Sequence, residues 1–93
     1  MDTVTVIEKK TSSGYGFDGS HQVVLFNDDH NSCEYVIACL MSVFGHSVEM
    51  ATKLMLEAHR KGKTIAQVER REDAMRHVSQ LIAFGLNAIV ELI

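Results

Sequence analysis

Residues 21–40 of the chain read HQVVLFNDDHNSCEYVIACL, and residues 50–63 read MATKLMLEAHRKGK. In the first segment the apolar run VVLF, residues 23–26, ends abruptly at the polar triplet NDD, residues 27–29. β-branched and aromatic residues bounded by a polar turn predict a strand over residues 21–27. The rest of the chain can be placed around this strand and the turn that ends it.

The polar triplet is a candidate ligand site. A strand that ends in short polar side chains presents them together at one edge of a sheet, and polar groups beside an apolar surface are the usual form of a binding site. Asn27 and Asp28, with His59 from the second segment, could form such a site. Simpler interpretations stay open, because Asn and Asp favour turns, and a histidine is favoured at a helix C-terminus.

Two helices are predicted after this strand. Asn31 is expected to cap the first, with Glu34 three residues later as in a capping box, and Gly45 to end it near Phe44. Ser47 is expected to cap the second, which Gly62 ends. Their apolar stripes, which recur at helical spacing, are Tyr35, Val36, Cys39, Leu40 and Val43, then Val48, Ala51, Leu54, Met55 and Ala58.

The remaining segments complete one small domain. Residues 63–69 are predicted to be a strand, residues 70–84 a third helix that ends at Gly85, and residues 87–93 (NAIVELI) a final strand. The order β-α-α-β-α-β predicts an α+β domain over residues 21–93, with a three-stranded antiparallel sheet and helices packed on one face.

Residues 1–20 are expected to be a flexible N-terminal extension. Residues 11–20, TSSGYGFDGS, are rich in Gly and Ser, as in a linker. Val4, Val6 and Ile7 could form a short strand, but a disordered tail is the preferred interpretation.

Composition limits the function. A chain of 93 residues with 46% hydrophobic content supports one globular domain, and its net charge of −3 argues against nucleic-acid binding. No apolar run approaches the about 20 residues of a membrane span, and the N-terminus lacks a signal core. Cys33 and Cys39 point to different helix faces, so they cannot form a disulfide with each other. Free thiols fit a cytoplasmic protein. No metal or cofactor is expected.

Catalysis is not expected either. Asp28 and Asp29 are adjacent and would point to opposite sides of an extended chain, so they do not form an acid/base pair. Cys33 or Cys39 with His59 could imitate a nucleophile and its base, as in a small hydrolase, but nothing supplies an orienting group or an oxyanion loop. The chain has neither a phosphate-binding glycine motif nor HExxH.

The NDD turn of VVLFNDD, a capped helix, and the later segment MLEAHRKGK together resemble the ClpS family, the N-end-rule adaptors of bacterial Clp proteases. The resemblance covers residues 22–91. It implies that the chain binds the free α-amino group of N-degron peptides and proteins, through positions matching Asn27, Asp28, Asp29 and His59. An ammonium has three donors and a full charge, so acceptors beside carboxylates hold it well, and His59 must be neutral to accept.

The resemblance also implies an apolar pocket for the first side chain of the substrate. The matching positions are Asn31, Cys33, Val36, Met55, Ala58 and Leu86. Cys33 departs from the family, which commonly has methionine there as a barrier to β-branched first residues. Ala58 also replaces a commonly larger residue. Both changes are expected to enlarge the pocket.

A partner is implied as well, the N-domain of an AAA+ Clp unfoldase of ClpA or ClpC type. Glu72 matches an acidic contact position for that domain, and His77 falls where many members have lysine. The N-terminal extension is expected to help deliver cargo. The alternative is a structural interaction domain that resembles the C-terminal domain of the ribosomal stalk protein.

Overall fold

A computed structural model describes residues 3–8 and 21–93 of the protein, so the predicted linker at residues 11–20 lies outside the described part. The elements follow the order β-β-α-α-β-α-β, and the predicted α+β class is confirmed. They are β1 (Val6–Ile7), β2 (His21–Phe26), α1 (Cys33–Phe44), α2 (Val48–Lys61), β3 (Lys63–Glu69), α3 (Arg71–Ala83) and β4 (Ala88–Leu92). Across the two described ranges, no helix is long and apolar enough to span a membrane.

In the described part of the chain the sheet has four strands in the order β1-β4-β2-β3, one more than predicted. β2 lies in the middle and pairs antiparallel with β3 and β4, as expected. The additional strand, β1, runs parallel to β4, with Val6 opposite Val90. The Val90 amide donates to the Thr5 carbonyl at 2.8 Å. A short strand at Val6 and Ile7 was the less favoured interpretation of the sequence, and the preferred disordered tail is wrong for these two residues. Two residues are too few for alternation to favour a strand, which explains the wrong strand count.

The helices cover one face of this sheet. In β3 the residues that face the core are Thr64 and Ala66, whereas Ile65 and Val68 are 46% and 53% exposed on the opposite face. The core consists of the buried stripes of the three helices and the inward residues of β2, β3 and β4; its fully enclosed large side chains are Leu25, Leu40, Leu81, Val23, Val78 and Val90.

Two residues assigned to apolar stripes are exposed. Tyr35 is 40% exposed because its hydroxyl reaches a surface carbonyl, that of Phe84. Val48 is 50% exposed because it lies on the outer face of α2, in line with Thr52 and Leu56. The other predicted stripe residues of α1 and α2 are buried or half-buried.

The cap of α1 differs from the prediction. Ser32, not Asn31, is the N-cap, and its hydroxyl accepts from the Tyr35 amide at 3.1 Å. With Ser32 as the cap, the third helical position is Tyr35, so Glu34 cannot complete a capping box. The predicted ends are confirmed: Gly45 and Gly62 close α1 and α2 with φ of 73° and 89°. Only glycine adopts such values at little cost.

Candidate functional site

The end of β2 is fixed by main-chain hydrogen bonds on both sides. The Phe26 amide donates to the Asn87 carbonyl, and the Asn27 amide donates to the Gly62 carbonyl, each at 2.9 Å. Gly62 also closes α2, since its own amide donates to Ala58 at 2.8 Å. The polar turn after β2 therefore lies between the loop before β4 and the C-terminal turn of α2. This arrangement brings Asn27 and the helix end that carries His59 onto neighbouring segments.

Asp28 holds the turn itself. Its Oδ1 accepts from the His30 amide at 2.7 Å and from the Asn31 amide at 3.2 Å, and its Oδ2 accepts from the Asn31 side chain. Burial alone raises the pKa of Asp28, but these three hydrogen bonds outweigh it and keep the pKa below its usual value. The carboxylate is therefore charged, with most of its acceptor capacity used inside the turn.

The beginning of α1 and the turn before it are joined to the α3–β4 loop by two hydrogen bonds. The side-chain NH2 group of Asn31 donates to the Gly85 carbonyl at 3.3 Å, and the Tyr35 hydroxyl donates to the Phe84 carbonyl at 2.7 Å. Sequence reasoning placed Asn31 in the pocket but missed Tyr35. The signal that could have drawn attention to it is a tyrosine within an apolar stripe, because a partly buried hydroxyl needs a partner.

Three acceptors of the predicted amino site remain available. The side-chain Nδ2 of Asn27 makes one long contact of 3.4 Å with Asp29 Oδ1. The side-chain Oδ1 of Asn27 has no donor among the described residues. Asp29 is exposed, and within the described part of the chain the contact with Asn27 is its only hydrogen bond. His59 is exposed in the last turn of α2, and its ring forms no hydrogen bond within residues 3–8 and 21–93. An arriving cation would meet acceptors that need not first give up a partner.

The predicted pocket residues divide into a floor and a rim. Val36, Met55, Ala58 and Leu86 are buried, with exposed fractions of 2% to 9%, and all but Ala58 belong to one core cluster. Cys33 is exposed at the first position of α1, and Asn31 is half-buried beside it. The buried members thus join the core, while Cys33 and Asn31 lie at the surface.

Two shallow grooves elsewhere contain none of these residues. One runs along the outer face of α2 past Val48, Thr52 and Leu56, and the other crosses the open sheet face near Val24 and Ile65. Each is lined by side chains of both charges and lacks a convergent set of free acceptors, so neither competes with the turn as the candidate site.

The two predicted partner residues have different surroundings. Glu72 is exposed in the first turn of α3, with its Oε1 3.8 Å from Arg70. His77 is half-buried: its Nδ1 lies 2.7 Å from Glu69 Oε2, and its ring meets the edge of Phe44 with centroids 4.9 Å apart. Only Glu72 offers an accessible side chain to another protein.

A polar cluster of Glu8, His21 and Arg71 was not expected from the sequence. Glu8 Oε2 lies 2.7 Å from Nε2 of buried His21 and accepts from Arg71 Nε at 2.9 Å. The hydrogen bond with His21 is the main cause that lowers the pKa of Glu8, and Arg71 adds to it. The segment that contains β1 is therefore joined to β2 and α3 by side chains as well as to β4 by its backbone.

Comparison with known proteins identifies the family. The family model described as ATP-dependent Clp protease adaptor protein ClpS matches residues 18–89. Similar curated relatives include ClpS adapter proteins from Desulforapulum autotrophicum (35% identical, covering 96% of this chain and 88% of the relative) and Acetivibrio thermocellus (34% identical, 73% and 69%).

A solved structure shows the same fold. It is Agrobacterium tumefaciens ClpS2 bound to L-phenylalaninamide, which is 28% identical and superposes with a TM-score of 0.76 over 78% of this chain and 95% of that one. The family match decides between the two resemblances that the sequence left open. The chain belongs to the ClpS family of adaptor proteins for ATP-dependent Clp proteases, which are adaptors and not enzymes.

Proposed function

We propose that this adaptor recognises the free α-amino group and the apolar first side chain of N-degron proteins and delivers them to an AAA+ Clp unfoldase. The observation that carries the proposal is the main-chain bond from Asn27 to Gly62, because it places two uncommitted acceptors, on Asn27 and His59, on adjoining segments. The related ClpS2 was solved with L-phenylalaninamide, a ligand with a free α-amine and an apolar side chain.

The amino group would be bound by direct hydrogen bonds to some residues and by the charge of another. The side-chain oxygen of Asn27 and a ring nitrogen of neutral His59 accept hydrogen bonds from two of the three ammonium N–H groups, and exposed Asp29 can accept the third. Asp28 contributes charge rather than a direct contact, since its oxygens are occupied by the turn. An acetylated or internal amine lacks both the positive charge and two of the donors, so it would be rejected.

The side chain would be held by the buried floor. Val36, Met55 and Leu86 already form apolar surface at the core, and methionine adapts its shape readily to a bound group. Burial of a Leu- or Phe-sized side chain gains about 1.5–3 kcal/mol, which adds to the charge-assisted bonds of the amine. Recognition would thus require both features of a first residue.

The test is a pair of peptides that begin with Phe, one free and one N-acetylated, measured by fluorescence anisotropy. Asn27→Ala and His59→Ala should each weaken binding of the free peptide by about 1–3 kcal/mol. Asn87→Ala and His30→Ala are matched controls, because both side chains are exposed and the hydrogen bonds that these two residues make to the turn use only their backbone atoms. Equal affinity for the free and acetylated peptides would contradict the amino-site proposal.

Delivery would involve a second surface. Glu72 is exposed at the start of α3, and we place the contact with the N-domain of a ClpA- or ClpC-type unfoldase there, with the N-terminal extension, residues 1–20, assisting transfer. Glu72→Lys should reduce degradation of an N-degron substrate without changing peptide affinity. Glu49→Lys, in the first turn of α2, is the control. Degradation at the normal rate by Glu72→Lys would remove Glu72 from the docking surface.

A further inference from the structure

The loop of residues 84–87 is held by donors from three separate elements. Tyr35 of α1 donates to Phe84, Asn31 of the polar turn donates to Gly85, and the Phe26 amide of β2 donates to Asn87. Each acceptor is a main-chain carbonyl. The loop next delivers Leu86, 2% exposed, into the core cluster that also contains Val36 of α1.

From this geometry we infer that the Tyr35 hydroxyl is a specificity-determining positioning group, because with the Asn31 amide it sets the width of the apolar pocket between α1 and Leu86. The inference rests on the proposed function for its pocket. We call the Tyr35–Phe84 and Asn31–Gly85 hydrogen bonds the clasp. The clasp joins one wall, which carries Cys33 and Val36, to the other, which carries Leu86.

Several features make Tyr35 the stronger half of the clasp. Its bond of 2.7 Å is short, whereas the Asn31 contact is 3.3 Å and shares its amide group with Asp28. Partial desolvation, with a smaller contribution from the Cys39 thiol, raises the pKa of Tyr35, so the hydroxyl remains a donor at neutral pH. Removing that one oxygen leaves the ring and its packing in place.

The local structure of the loop also favours this role. Gly85 has a φ of 90°, so the chain reverses in a conformation that other residues rarely adopt. The loop is also joined to the end of α3, since the Gly85 amide donates to the Ile82 carbonyl and the Leu86 amide donates to the Leu81 carbonyl, at 2.9 and 3.0 Å. These bonds to α3 fix the shape of the loop, but only bonds to α1 and to the turn before it can fix the distance of the loop from α1.

The first measurement needs no ligand. Tyr35→Phe should speed amide hydrogen exchange at Gly85 and Leu86 by about 2- to 10-fold, the effect of losing one hydrogen bond, and leave Leu40 and Val78 in the helix cores unchanged. Exchange at the wild-type rate in Tyr35→Phe would overturn the clasp. Because peptides are absent, this result stands even if the amino-site proposal fails.

The second measurement concerns selectivity. In Tyr35→Phe the ratio of Kd for Trp-first to Leu-first peptides should fall by about 2- to 10-fold, since a loosened wall admits the larger ring. N-acetylated peptides should still be rejected. Ser32→Ala is the matched control, because it weakens the same end of α1 without touching the clasp. An unchanged ratio in Tyr35→Phe, or an equal shift in Ser32→Ala, would overturn the inference.

Discussion

Replacement of Asp28 should destabilise the whole domain, because this one carboxylate organises the turn between β2 and α1. Asp28→Ala removes both carboxylate oxygens and with them three hydrogen bonds, so the His30 and Asn31 donors must find water in a half-buried site. A hydrogen bond to a charged group contributes about 1.5–3 kcal/mol net, but partial exposure and partial replacement by water reduce the sum. We expect a loss of about 2 kcal/mol, equivalent to about 8–16 °C in Tm for a domain of this size.

Asp28→Asn separates the contribution of the negative charge from that of the side-chain shape, because Asn has nearly the same shape as Asp but no charge. The amide oxygen can still accept from the two backbone donors, but the new NH2 group meets the Asn31 NH2 group, donor against donor. Asn31 could turn over to relieve this contact, and it would then lose its bond to the Gly85 carbonyl. The expected cost is therefore intermediate, about 1 kcal/mol.

The pH dependence of the free energy of unfolding tests whether the charge of Asp28 causes the stabilisation. The pKa of Asp28 is lowered from its ordinary value of 3.8, so the charged form favours the fold. Its contribution is complete above the pKa of the unfolded chain and disappears as the pH falls through the lower, folded value. The stability gap between wild type and Asp28→Asn should therefore be constant near neutral pH and shrink on acidification. Other carboxylates titrate in both proteins and cancel in the difference.

The assay is urea denaturation followed by circular dichroism at several pH values, with Asp29→Asn as the control. Asp29 is exposed and makes a single contact of 3.4 Å, so its replacement should change the free energy of unfolding by less than about 0.5 kcal/mol. Asp28 does not hold the turn through its charge if Asp28→Ala unfolds like wild type, or if the stability gap between wild type and Asp28→Asn persists unchanged below the pKa of a free aspartate.

Three further outcomes are expected. Ile- and Val-first peptides should bind within about tenfold of Leu-first peptides, and Cys33→Met should reject them; equal rejection by wild type would mean that Met55 already fills the space. Glu8→Gln should speed exchange of the Val90 amide, which bonds Thr5, by weakening the contacts to His21 and Arg71. Because the pKa of Glu8 is lowered, this difference should vanish in acid, and a pH-independent difference would contradict the ion-pair explanation. Ser32→Ala should cost about 1 kcal/mol of stability, as should Ser47→Ala, and no loss for Ser32→Ala would disprove its capping role.

The fold could be predicted wherever a segment was long and its boundaries were marked by local chemistry. Gly45 and Gly62 ended α1 and α2 as expected, since a left-handed residue is a local requirement. The cap of α1 was ambiguous, because Asn31 and Ser32 are both good caps. In the structure the Asn31 side-chain NH2 group donates to the Asp28 carboxylate and, at 3.3 Å, to the Gly85 carbonyl, 54 positions away. Local preferences carry no information about such a partner.

The sequence nominates members of the candidate site but does not distinguish their roles. Asn27 and His59 could be nominated as acceptors, and their free oxygen and nitrogen atoms keep that prediction open to experiment. Asp28 and Asp29 look equivalent in sequence, yet one holds the turn and the other faces solvent. The difference follows from the direction in which the chain leaves β2, fixed by bonds to Gly62 and Asn87. Those bonds use main-chain atoms, for which no side-chain signal exists.

The loop before β4 bears on the selectivity of the proposed pocket for the first side chain of a substrate. Its three acceptors are carbonyls of Phe84, Gly85 and Asn87, and substituting the side chains at 84 or 87 deletes none of them. Two of the three donors, by contrast, are the side chains of Asn31 and Tyr35. In the proposed pocket, the distance between the walls would therefore be set at the start of α1, beside Cys33. Changes within residues 31–35 would then alter both the size of the entrance and the position of the opposite wall, without replacing the proposed acceptors Asn27 and His59.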